Sequence, residues 1–91
     1  MGRSRHEDGD KSEDLVQIQE RLARLTPREA EVLLYVAAGR VNKETADQLG
    51  IAEHTVKTHR ARIMKKLRVH SIGELVRLAI KAGLPLPSSS P

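Results

Sequence analysis

Six cationic side chains stand between His54 and Gly73 (Lys57, Arg60, Arg62, Lys65, Lys66 and Arg68), and no acidic residue lies among them. If the stretch is helical, at 100° per residue Val56, Ile63 and Leu67 point within about 20° of one direction. The opposite face then carries His54, Thr58, Ala61 and Lys65, flanked by Lys57, Arg62 and Arg68. Basic side chains around small ones suit a polyanion. Lysine and arginine neutralise phosphates or reach guanine acceptors, and small residues let a helix approach base edges closely. A solvated cationic face is the plain alternative, and charge alone does not separate the two. His59 sits on the apolar stripe and reads as a hydrogen-bonded packing residue rather than a titrating switch. Arg60 lies near the same stripe, from which its long stem can reach across to a phosphate.

A helix of this kind needs a brace, and the residues before it supply one. Asn42 is suited to cap a short helix at 43–49, Gly50 ends it, Ile51 and Ala52 make the turn, and the basic helix runs from Glu53 to about Leu67. A helix-turn-helix requires a small residue where its helices touch, glycine in the turn and an aliphatic residue holding the second helix. Ala46, Gly50 and Val56 meet these needs, with Leu49 and Ile51 in support. Upstream, Thr26 with Pro27 and Glu29 forms a capping box that opens a helix over 27–38, with an apolar stripe of Ala30, Leu33, Leu34 and Ala37. Gly39 stops it. Downstream, Ser71 and Glu74 form a second box that opens a helix over 72–82, ended by Gly83. Ile72, Leu75, Val76, Ala79 and Ile80 are its apolar surface. The expected architecture is all-α: a four-helix domain at 25–84, preceded by a linker helix at 12–24. That helix begins with Ser12 as cap and Glu13 and Asp14 in its first turn, and carries Leu15, Ile18, Leu22 and Leu25. Two heptads are too short to stand alone as a coiled coil, which leaves a linker or a dimer-assisting arm. Residues 1–11 and 85–91 read as disordered from composition.

Composition narrows the function further. The chain has 91 residues, a formal charge of +4, no cysteine and Tyr35 as its sole aromatic residue. A domain of ~60 residues buries only about 60% of its unfolded surface, so the core must be aliphatic and the stability modest. The lack of cysteine fits a reducing, cytoplasmic setting, and no apolar run approaches the ~18 residues of a membrane span. Catalysis finds no nucleophile–base pair and no phosphate-cradling glycine loop. Metal binding finds His54 and His59 five apart, off one helix face and with no completing ligands. The acidic run Glu7–Asp14 has Glu13 where a calcium loop needs glycine. The reading therefore includes no enzyme, no cofactor, no metal and no small-molecule substrate.

The run LTPREAEVLLYVAAGRVNKETADQLGIAEHTVKTHRARIMKKLRVHSIGELVRLAIKAGL, residues 25–84, resembles the output domain of the LuxR family, in the form found in FixJ-type bacterial response regulators. LTPRE, NKETA, TVKTH and the spacing to SIGELVRLA carry the resemblance jointly. It implies sequence-specific binding of double-stranded DNA and transcriptional regulation in a two-component system, with 53–67 as recognition helix in the major groove. It places Lys57, Thr58 and Ala61 where family members read bases, and Thr55, His59 and Arg60 at positions suited to backbone contacts or to orienting the helix. Arg62 and Lys65 are expected on phosphates. The resemblance also implies a homodimer through the last helix, by residues such as Leu75 and Leu78, and leaves RNA polymerase open as a partner. Two residues depart from the family pattern. Thr45 replaces an aliphatic residue, which weakens the expected packing of the short helix. Ala52 replaces a frequent Ser or Thr cap, at a cost of about 1 kcal/mol.

Two rivals stay open. A sigma-factor promoter-binding domain shares an LTPRE-like start and a TVK-bearing helix, but SIGELVRLAIKAG and His59 within TVKTH argue against it. A helical protein-interaction module would use Leu75, Val76, Leu78 and Ile80 for docking and leave the basic helix incidental.

Overall fold

The computed structural model describes residues 15–87, which form five helices and, among those residues, no strand. Helix α1 covers 15–22, α2 Pro27–Ala37, α3 Asn42–Leu49, α4 Glu53–Leu67 and α5 Ile72–Lys81. The expected disordered N-terminus, the residues Ser12, Glu13 and Asp14, and positions 88–91 lie outside the described residues.

Several boundaries of α2, α3 and α5 have a local cause. Thr26 Oγ1 accepts from the Glu29 N–H at 3.1 Å and Glu29 Oε1 accepts from the Thr26 N–H at 2.9 Å, a complete capping box with Pro27 behind it. Helix α3 starts one residue earlier than the sequence suggests. Val41 is its N-cap and Asn42 is already helical. Valine has no side-chain acceptor, and Glu44 Oε1 instead secures the Val41 N–H at 3.1 Å. Gly50 closes α3 in the left-handed conformation, φ 67°, which a residue without Cβ adopts at little cost. Ser71 Oγ accepts from the Glu74 N–H at 3.1 Å, but the Glu74 carboxylate reaches the His70 N–H at 2.6 Å, so the second box is only half closed.

The core is aliphatic, as the composition requires. Val32, Leu33 and Val36 of α2, Ala46 of α3, Val56, Ile63 and Leu67 of α4, and Leu75 and Leu78 of α5 form one buried cluster, joined by Ile18 of α1. Burying each large aliphatic side chain contributes about 1.5–3 kcal/mol against leaving it in water. Helix α2 is central, packing on α3, α4 and α5. Its buried row is Glu29, Val32, Leu33, Val36 and Ala37. Of the expected stripe, Leu33 and Ala37 are buried, whereas Ala30 is exposed and Leu34 half-buried. Two residues turn a helix by about 200°, so Ala30 points away from the direction that Val32 takes into the core.

Thr45, expected to weaken the packing of α3, lies inside the core. It is fully buried and its hydroxyl donates to the Val41 carbonyl at 3.2 Å, so its polar atom is satisfied within its own helix. Helix α1 docks on its own domain: Ile18 is 8% exposed, with Leu22 and Leu25 packed against the core. Helix α5 has two apolar rows. Leu75, Leu78 and Ala79 are buried, whereas Ile72 is 39% and Ile80 65% exposed, with Val76 between them half-buried.

Candidate nucleic-acid interface

Helix α4 divides along its length as its sequence period requires. Val56, Ile63 and Leu67 are at most 1% exposed and hold it against α2 and α3. On the other side His54, Lys57, Thr58, Ala61, Arg62 and Lys65 are all exposed, so six of the residues singled out from sequence share one solvent face. Thr55, His59 and Arg60 are half-buried at its margins. The turn that sets the angle between α3 and α4 is made by Gly50 and by the Ile51 N–H, which donates to the Ala46 carbonyl at 3.0 Å.

The polar details decide what this face can do. The Thr58 hydroxyl donates to the His54 carbonyl at 3.1 Å, which uses its proton within the helix and leaves its oxygen as an acceptor and its methyl as apolar surface. No intramolecular carboxylate pairs with Lys57, Arg62 or Lys65 among the described residues, so their charge is available to an outside anion. Lys66 differs. It lies 2.7 Å from Glu29 Oε1 and 3.3 Å from the Arg24 carbonyl, behind the exposed face. Glu29 is only 2% exposed. Burial pushes its carboxyl up. The hydrogen bond from Lys66, the Thr26 N–H and the charges of Lys66 and His59 together outweigh that and hold it below its usual value. One of the six cations is thus committed to the fold.

Sequence reasoning missed the buried pair, though a signal existed. Glu29 precedes Val32, Leu33 and Val36 by three, four and seven residues, which puts it on the row that faces inward. His59 is half-buried, but the hydrogen bond expected of it is not formed: its Nδ1 is buried with no partner among the described residues. Leu75 and Leu78, expected as pairing residues between copies, are 1% and 7% exposed and are used in the chain's own core. Among the described residues no group of three His, Asp or Glu side chains could hold a metal ion. Nor is any helix there long and apolar enough to cross a membrane.

Residues 23–79 match the family described as "Bacterial regulatory proteins, luxR family", more than half of the chain. The chain is 50% identical over 60 residues to the uncharacterized response regulatory protein YgeK of Escherichia coli, covering 66% of this chain and 41% of that protein. It is 43% identical over 75 residues to the transcriptional regulatory protein FixJ of Bradyrhizobium diazoefficiens, covering 81% and 37%. Full-length FixJ from B. japonicum superposes with a TM-score of 0.76 at 36% identity, over 86% of this chain and 38% of that one. The response regulator StyR gives 0.74 at 41% identity, over the same shares. The chain spans less than half the length of these relatives.

Proposed function

The chain belongs to the luxR family of bacterial regulatory proteins, regulators rather than enzymes, and from that premise we propose that it is a sequence-specific DNA-binding output domain of a two-component response regulator. The observation that carries the reading is the exposed face of α4. It is cationic and carries the small residues Thr58 and Ala61, its Lys57, Arg62 and Lys65 have no carboxylate partner among the described residues, and it is braced from behind by fully buried aliphatic side chains. Helix α4 enters the major groove, with Lys57, Thr58 and Ala61 toward base edges and Arg62 and Lys65 toward phosphates. Thr55, His59 and Arg60 at its margins serve backbone contacts and orientation.

The partner is double-stranded DNA, bound as a homodimer in the cytoplasm. Since Leu75 and Leu78 are used in the core, the pairing surface on α5 is the row Ile72, Val76 and Ile80. No surface is assigned to RNA polymerase.

Binding-site selection from a random duplex pool tests the reading. The expected result is enrichment of one motif, duplicated at a fixed spacing that reports the dimer. Salt-sensitive binding without any enriched motif would reduce the domain to a non-specific polycation. No association even at low salt would favour the protein-interaction module instead.

A further inference from the structure

We propose that Asn42 is a positioning residue for Arg60, holding the guanidinium in place for a DNA phosphate without cancelling its charge; this rests on the DNA-binding reading above. The Arg60 Nη1 donates to the Asn42 side-chain oxygen at 2.6 Å, joining α4 to the first turn of α3 across the helix-turn-helix. Asn42 is free for this task because it is not the cap of α3. Val41 takes that place, and Glu44 satisfies the Val41 N–H. Asn42 and Arg60 are both half-buried. They line one wide cleft beside the exposed face, with Arg40, Val41, Lys43, Glu53 and Ile72 around them.

The chemistry of the acceptor is the point. An arginine presents five N–H donors, and the bond to Asn42 engages one nitrogen, leaving the others for a second partner. Glu53 lines the same cleft, yet Arg60 forms no ion pair among the described residues. A neutral amide oxygen fixes the side chain, reducing the rotamer entropy lost when a phosphate arrives. A carboxylate in its place would fix it equally well but neutralise the charge that the phosphate needs.

The test is a double-mutant cycle in the full 91-residue chain, read as affinity for a short random-sequence duplex across a salt series. Arg60→Ala should lower affinity and reduce the log–log salt slope by about 0.9, the loss of one neutralised phosphate. Asn42→Ala should lower affinity about three- to fivefold with the slope unchanged, because the charge remains but is no longer held. In the Arg60→Ala background the Asn42 substitution should have no further effect. Asn42→Ser, which cannot reach as far, should behave like Asn42→Ala and serves if the alanine variant loses helicity.

A slope unaltered by Arg60→Ala overturns the proposal, as does an Asn42→Ala affinity equal to wild type or a loss of equal size in both backgrounds. In each of those cases the wild-type chain still binds, so the broader DNA-binding reading survives. Absence of salt-dependent binding by the wild-type chain removes both.

Discussion

At its front, α4 begins on Ala52, which has no side chain to cap it, and leaves Lys57, Thr58 and Ala61 in solvent. At its rear, Lys66 is held by Glu29 and the Arg24 carbonyl, and the Leu67 carbonyl lies 3.5 Å from Arg21 Nη1. Arg68 then turns the chain with φ 57°, the one described non-glycine residue in the left-handed region. The same basic composition serves two ends differently. At the rear a cation is used inside the fold, while at the front the charges are kept unpaired and the helix start is left under-stabilised. A cationic run in sequence therefore overstates the charge offered to a partner, and the positions that pack against a buried carboxylate must be subtracted.

The largest effect that sharpens this contrast comes from the core behind the helix. Leu78→Asp buries an unpaired carboxylate beside Leu75 and Ile18, and it should cost more than about 4 kcal/mol, enough to abolish the helical circular dichroism of so small a domain. Retention of full helicity would mean that α5 does not pack as described.

Next in size is the rear clamp. Lys66→Met leaves the buried Glu29 carboxylate without its cation. Complete removal of one partner from a buried pair costs about 3–5 kcal/mol; because the Lys66 side chain is 34% exposed, about 2 kcal/mol is expected at neutral pH. The pH dependence has a definite sign. Glu29 titrates below its ordinary 4.5 in the folded chain, so its pairing stabilises above that value and is lost as pH falls through the lowered folded value. The difference between wild type and Lys66→Met in denaturant unfolding should accordingly shrink as pH drops below 4.5. A difference that does not change with pH would place the cost in packing rather than charge.

The front end yields the smallest change. Ala52 has φ −74° and ψ 151°, the extended conformation of an N-cap. Ala52→Ser should therefore stabilise the domain by about 0.5–1 kcal/mol and raise Tm by about 4 °C. No gain would show that the start of α4 is already satisfied by other means.

Much of this architecture is legible in the residues because the signals are local. The Thr26–Glu29 box, the Gly50 turn and the Val56, Ile63, Leu67 row each depend on short-range spacing. What the sequence hides depends on contacts between distant segments. Asn42 looks like a cap by type, but its oxygen is taken by Arg60, eighteen positions away. Glu29 is visible as a capping residue and not as the partner of Lys66, thirty-seven positions on. Helix α5 is apolar on two adjacent rows, so periodicity alone does not say which row the domain buries and which it leaves exposed.

The salt dependence of duplex binding, compared between wild type and a chain carrying Lys57→Ala, Arg62→Ala and Lys65→Ala together, tests the role of the α4 face most directly. Loss of the two phosphate contacts of Arg62 and Lys65 should make the log–log slope shallower by about 1.8, and by about 2.7 if Lys57 also rests on a phosphate. An unchanged slope and affinity in a variant of unaltered helicity would contradict the assignment of this face to DNA.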